Sequence, residues 1–396
     1  MQLRRTTSGI ALLVAGSLAL SACGGSSKGG SASSGGGGGG KKMITIGFQG
    51  PLSGDNAQLG INAEDGVKTA IDQANKKGDL PFTLKLNSSD DIGKPEQGAI
   101  AAQRLIDDKS VVGVVGPIFS GATKAAEPAF TQATLLSVSP SATNPKLTSL
   151  GFSTFFRVIP PDDAQGQEAG NYMTKALKAK TIFSLDDKSE YGTGLSSVLE
   201  MQAKANGAMV THDGIPPTKD YTAEADKIVA AKPDALFYSG YYAEFGLLVR
   251  ALKGKGFTGK ILSGDGSNDD KFIAAAGADN AEGVLLTCPC VDANVDPKAA
   301  AFRTAFKAVN AGANPGTYSP EAYDASNALI SVLKGLGNDA TDRAKVAAAF
   351  KKVDFAGITK QIKFTDTGEV TQKIVFVYKV VKGQRSVLGT TAELDK

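Results

Sequence analysis

Apolar residues in this chain follow two alternating rhythms. Runs such as Val111–Val115 lack polar alternation, which suits strands buried on both faces of a parallel sheet. Elsewhere apolar positions recur every three or four residues, as at Ala63, Val67, Ala70, Ile71 and Ala74, which marks a helix with one buried face. The pattern predicts strands at 43–48, 82–86, 111–115, 135–139 and 155–159, with helices at 60–74, from Pro95 and from Gly121. Pro160-Pro161 fits neither a helix interior nor a central strand and predicts a crossing between lobes. The alternation then restarts. Helices at 164–179, 193–206, 223–231 and 243–253 each precede a strand, at 181–185, 208–212, 235–239 and 260–263. A strand at 283–287 follows, then helices at 297–310, 320–336 and 341–352, and strands at 361–364 and 374–380. Repeated β-α-β units imply an α/β fold with helices on both faces of parallel sheets. Two series imply two Rossmann-like lobes facing a cleft.

The strand ends carry the candidate chemistry. After 111–115 come Phe119-Ser120-Gly121-Ala122-Thr123, and after 135–139 come Pro140-Ser141-Ala142-Thr143. In an open α/β sheet, ligands bind beyond the carboxyl ends of the strands. Ser120 also opens a helix, where free N–H groups and the dipole favour an anion. Ser120 and Ser141 therefore read as a shelf for a small carboxylate. Either alone reads better as a cap or turn residue, and it is the pair on successive strands that brings the carboxylate shelf level with that reading. In the second series Tyr191, Tyr241 and Asp265 stand at the same kind of strand end. Asp265, between two glycines, suits an ammonium group, and the tyrosines offer a ring face and a hydroxyl to it. The structural alternative is a turn acid beside half-buried tyrosines.

Residues 1–22 look different. Arg4-Arg5 and an apolar core at 10–20 read as a secretory signal, too short to span a membrane. Leu20-Ser21-Ala22-Cys23 resembles the lipobox of bacterial lipoproteins, which implies cleavage before Cys23 and a lipid on it. Residues 23–42 are then the lipidated Cys and a Gly/Ser-rich tether that cannot bury a core. The body from residue 43 is long enough for two cores. The formal net charge of +3 misleads, because Arg4, Arg5, Lys28, Lys41 and Lys42 precede the body and leave it slightly acidic. With no basic patch, nucleic acid is excluded as a partner. Only Cys288 and Cys290 remain, and they lack the further ligands of a zinc site. Two readings stay open for them, a disulfide or two free thiols. No catalytic set emerges. The single histidine, His212, has no nucleophile nearby, and the glycines after Tyr191 fail the dinucleotide pattern at Ser197. Asp265–Asp269 lacks the central glycine and final glutamate of a calcium loop. Neither an enzyme, a metal site nor a cofactor is expected.

From residue 43 to about 380 the chain resembles the periplasmic leucine/isoleucine/valine-binding protein family, type I solute receptors of ABC importers. The resemblance rests on Pro51-Leu52-Ser53-Gly54, Ser139-Pro140-Ser141-Ala142-Thr143-Asn144-Pro145, Asp187-Lys188-Ser189-Glu190-Tyr191-Gly192, Gly240-Tyr241-Tyr242-Ala243-Glu244 and Gly264-Asp265-Gly266. It implies that Ser120, Ser141 and Thr143, with Ala142 between, hold an α-carboxylate. It implies that Tyr191 and Tyr241 close over the ligand and that Asp265 binds the α-ammonium. It implies three crossover strands, near 157–161, 286–291 and 365–373. The N-terminal lobe would then take 43–158 and 289–368, and the C-terminal lobe 159–288 and 369–396. The chain departs from the family at Leu59, where leucine-binding members carry an aromatic, and at Ile92 and Phe119, where a disulfide would sit. Leu59 and Phe119 are thus expected to shape the side-chain pocket. The implied role is an extracytoplasmic lipoprotein, monomeric and anchored to the cell membrane through Cys23, that hands a branched-chain amino acid to membrane permease subunits. The alternative is a sensor that presents an amino acid, amide or small carboxylate to a signalling receptor.

Overall fold

The computed structural model describes residues 41–394. The signal, Cys23 and the tether up to Gly40 lie outside the described residues. The first lobe opens with β1 (Lys42–Gly50), α1 (Ala57–Lys77), β2 (Phe82–Asp90), α2 (Pro95–Asp107), β3 (Val111–Val115), α3 (Ser120–Gln132), β4 (Leu136–Ser139) and β5 (Phe155–Arg157). Its five strands are all parallel, in the order β2-β1-β3-β4-β5. β3 is buried along its whole length, which explains its unbroken apolar run.

The chain crosses at 158–161 and builds the second lobe from α4 (Asp162–Asn171), β6 (Thr181–Asp186), α5 (Glu190–Ala205), β7 (Met209–Gly214), α6 (Thr222–Ala231), β8 (Ala235–Ser239), α7 (Tyr242–Gly254), β9 (Lys260–Ser263), α8 (Asp270–Ala276), α9 (Ala278–Ala281) and β10 (Leu285–Cys288). It then returns to the first lobe as α10 (Ala300–Val309), α11 (Ser319–Leu336) and α12 (Arg343–Phe350), where α10 and α11 pack on α1, and α12 meets β3. After the small hairpin β11 (Asp354–Ala356) and β12 (Gln361–Lys363), it crosses once more to β13 (Phe376–Val381) and β14 (Gln384–Thr390). Among the described residues no helix is long and apolar enough to cross a membrane.

Two expectations need correction. The second sheet, β14-β13-β10-β9-β8-β6-β7, is mixed, because β13 runs antiparallel to β10 and β14 antiparallel to β13. The helix expected over 164–179 stops at Asn171 and continues as a π turn, Tyr172–Ala176.

One buried acid in the first lobe sets a pH dependence. Glu127 on α3 accepts a hydrogen bond from Ser137 Oγ at 2.6 Å, while its second carboxyl oxygen is buried without a partner. Burial pushes its pKa up to about 8. The folded-state value lies above the unfolded one, so this site costs no stability at acid pH and costs progressively more as pH rises towards 8. Glu127→Gln is therefore expected to raise the urea midpoint at alkaline pH and to change it little at acid pH.

Candidate functional site

Five strand ends meet between the lobes. β3 leads through Gly116-Pro117, a cis peptide, to Phe119 and the start of α3. Gly116 has φ 115° and lies so close to β1 that a Cβ would sit 2.2 Å from the Gln49 carbonyl oxygen, so only glycine fits there. Ser120 is the first residue of α3, and its Oγ accepts from the Asn144 N–H at 3.2 Å. β4 leads to Ser141, whose Oγ donates to the Ile118 carbonyl at 2.6 Å. Ser139 Oγ donates to the Pro117 carbonyl at 2.6 Å and accepts from Ala142 N–H at 2.9 Å. The two loops are thus stitched side by side.

From the opposite lobe, β6 leads to Tyr191 in the first turn of α5, β8 to Tyr241 at the start of α7, and β9 to Asp265. Asp265 is fully buried and accepts three hydrogen bonds. Tyr191 Oη donates to Oδ1 at 2.7 Å, Gln165 Nε2 to the same oxygen at 2.6 Å, and Tyr318 Oη to Oδ2 at 2.7 Å. Tyr191 Oη in turn accepts the Gly266 N–H at 3.0 Å. Burial holds the pKa of Tyr191 and Tyr318 well above the usual phenol value, with the Asp265 charge adding to it, so both remain donors. Burial also raises Asp265, against the lowering pull of Gln165, Tyr318 and Tyr191.

The two walls meet around a narrow gap, a cavity of about 10 Å³, lined by Ile118, Phe119, Ser120, Ser141, Tyr191, Tyr241, Asp265, Gly266 and Tyr318. Phe119 and Tyr241 stack across the lobes with ring centroids 4.2 Å apart, and Tyr241 tilts onto Tyr191 at 5.3 Å. Outside that stack lies a wider chamber at the cleft mouth, to which both rings also belong. Polar contacts also join the lobes. Asn56 Nδ2 donates to Glu244 at 3.0 Å, the Gln58 N–H donates to Tyr242 Oη at 3.2 Å, and Lys124 pairs with Glu190 at 3.1 Å.

Sequence-expected residues divide on this geometry. Phe119, Ser120, Ser141, Tyr191, Tyr241 and Asp265 share the one gap, whereas Leu59, Ala142 and Thr143 do not line it. Leu59 is wholly buried in the apolar core. The start of α1 is pressed against the Pro51 loop, where a Cβ at Gly60 would come within 1.9 Å of the Pro51 carbonyl oxygen, and this packing leaves Leu59 inside. Tyr318 was not anticipated. It precedes α11 with φ 70° and reaches the gap from a loop rather than from a strand end. Cys288 and Cys290 form a disulfide, with Cα atoms 5.0 Å apart, where β10 enters the second crossover. Among the described residues no group of three or more His, Cys, Asp or Glu is placed to hold a metal ion.

A two-lobed α/β body with its gap at the strand ends is the architecture of a type I solute receptor. Residues 43–385 match the periplasmic binding protein family, and the chain belongs to that family, in its leucine/isoleucine/valine-binding branch. This is a solute-binding class rather than an enzyme class. A Leu/Ile/Val-binding protein of Rhizobium johnstonii is 33% identical over 345 residues, covering 86% of this chain and 92% of its own length. The crystal structure of a leucine-binding protein from Thermotoga maritima, 27% identical, superposes with a TM-score of 0.80 over 88% of this chain and 98% of the other. A branched-chain amino acid transporter substrate-binding protein from Streptococcus pneumoniae, solved with isoleucine, gives 28% identity and a TM-score of 0.80 over 88% and 100% of the two chains.

Proposed function

We propose that this chain is the extracytoplasmic solute-binding lipoprotein of an ABC importer, anchored through Cys23, and that it carries a branched-chain amino acid to the membrane permease. One observation carries the reading. The gap has unlike walls, with Ser120 at the start of α3 and Ser141 after β4 on one side and the Asp265 carboxylate on the other. That polarity fits a zwitterion, carboxylate on the serine shelf and ammonium on Asp265. Burying both ligand charges is costly unless each is paired. Pairing of both ends exists only when the lobes are together, so ligand shifts the population towards the closed form. The apolar remainder of the ligand meets Ile118, Phe119 and the Tyr241 ring. The relatives named for leucine, isoleucine and valine support that side-chain class.

The test is a thermal-shift and calorimetric panel of all common amino acids on the purified body, residues 43–396. Leucine, isoleucine or valine is expected to give the largest rise in melting temperature, with 1:1 binding. A panel in which none of the three binds while another solute does would refute the branched-chain assignment.

A further inference from the structure

A second acid stands behind Asp265. Asp162, the first residue of α4, is fully buried, and so is Gln165 one turn later. The Gln165 side-chain nitrogen donates to both carboxyls at once, to Asp162 Oδ1 at 3.1 Å and to Asp265 Oδ1 at 2.6 Å. The two acids are treated unequally. Asp265 takes three donors over its two oxygens, whereas Asp162 Oδ2 is buried with no partner. Gln165 Oε1 is likewise buried and unpaired. A buried carboxylate with fewer donors is costlier to ionise than one with three, while a protonated one escapes that cost.

We propose that Asp162 and Asp265 act as one proton-holding pair bridged by Gln165, with Asp265 ionised and the proton on Asp162, and that entry of the ligand's α-ammonium group expels this proton to solvent. The inference rests on the amino-acid reading of the gap given above. Two adjacent buried carboxylates cannot both ionise cheaply, and a cation placed beside them removes the obstacle. The surroundings agree. Burial first and the Asp265 charge second push Asp162 well above the usual carboxylate range. Arg157 pulls it down, but that guanidinium is already matched by Glu369. The remaining titratable neighbours of the pair are the phenols of Tyr191, Tyr241 and Tyr318, neutral donors that cannot take the place of a cation. The Thr143 hydroxyl stands beside Asp162 and, like Gln165, pulls its pKa down against burial and the Asp265 charge, and it does not line the gap. Asp162 is thus a positioning residue. It sets the charge that Asp265 can present.

Because binding releases a proton, affinity should climb with pH by up to about tenfold per unit, until the empty pair is itself fully ionised. The test is calorimetric titration of leucine in two buffers of different ionisation enthalpy, repeated from about pH 5 to about pH 8. The native body is expected to release close to one proton per leucine at the acid end and progressively fewer towards the alkaline end. Asp162→Asn should still bind leucine, with proton release near zero at every pH. Gln165→Met, which removes a donor from both acids, should shift the release to higher pH. The 2-oxo acid analogue of leucine, lacking the ammonium, should release none. Leucine binding without proton release by the native body would overturn the pair while leaving the amino-acid reading intact. So would equal release by Asp162→Asn. No binding of any α-amino acid would overturn both.

Discussion

Asp265→Asn should bind branched-chain amino acids about 100-fold or more weakly than the native body. The change keeps the shape of the side chain but removes the charge facing the ligand's ammonium. It also turns an NH₂ group towards donors. Tyr191, Tyr318 and Gln165 all point hydrogens at this residue, and an amide can accept on only one of its two atoms. Breaking a buried charge pair by deleting one partner costs about 3–5 kcal/mol, and each 1.4 kcal/mol is about tenfold in affinity. Calorimetry with leucine and with its 2-oxo acid measures the effect. The amino acid should lose most of its affinity and the oxo acid much less. A change under about threefold for leucine would remove Asp265 from the ammonium role.

Arg157→Met should destabilise the fold by about 3–5 kcal/mol. Arg157 ends β5, is fully buried, and uses its whole fork. Nε donates to Glu369 Oε2 at 2.8 Å and Nη2 donates to Glu369 Oε1, while Nη1 donates to the carbonyls of Ala142 at 3.0 Å and Asn144 at 2.8 Å. One guanidinium therefore ties the first crossover to the third and pins the loop that carries Ser141. Methionine fills similar volume but strips the guanidinium donors from the Glu369 carboxylate, which keeps only Thr148 Oγ1 among side chains, and from the carbonyls of Ala142 and Asn144. Arg157→Lys should recover only part of the loss, since an ammonium cannot fork in one plane. Urea unfolding with a lobe-specific probe measures the effect, and a loss under about 1 kcal/mol would contradict this account.

The gap-lining residues legible in the sequence are those where a buried strand stops at a hydroxyl, phenol or acid, as at Ser120, Ser141, Tyr191, Tyr241 and Asp265. That rule depends only on local pattern and on where parallel sheets bind. It failed for residues placed by long-range packing. Tyr318 sits in a loop distant in sequence from the other gap residues, and its left-handed backbone leaves no composition signal. Asp162, following Pro160-Pro161, reads as an ordinary acidic helix start, because a favourable dipole position and a functional acid look alike in one dimension. β14 was missed because Gln384–Thr390 is half exposed at a sheet edge and its apolar positions are sparse. The turn Lys382-Gly383 has positive φ at both residues, the backbone of a two-residue hairpin, and only its glycine hints at that in the sequence. Leu59 was misjudged for the opposite reason. The family position is informative, but the local press of Gly60 on Pro51 decided its surroundings.

The late return of α10, α11 and α12 to the first lobe has a consequence for biosynthesis. Arg343, at the start of α12, donates to the carbonyls of Ile106, Asp108 and Val111, partners more than 200 residues earlier. Leu329 of α11 packs against Gly113 in the middle of β3, so one face of that sheet waits for a helix made more than 200 residues later. Nascent chains must therefore hold the first lobe's core open until α10, α11 and α12 are synthesised. Such delayed closure lengthens the time spent exposed to aggregation, and it also keeps the polypeptide threadable for longer.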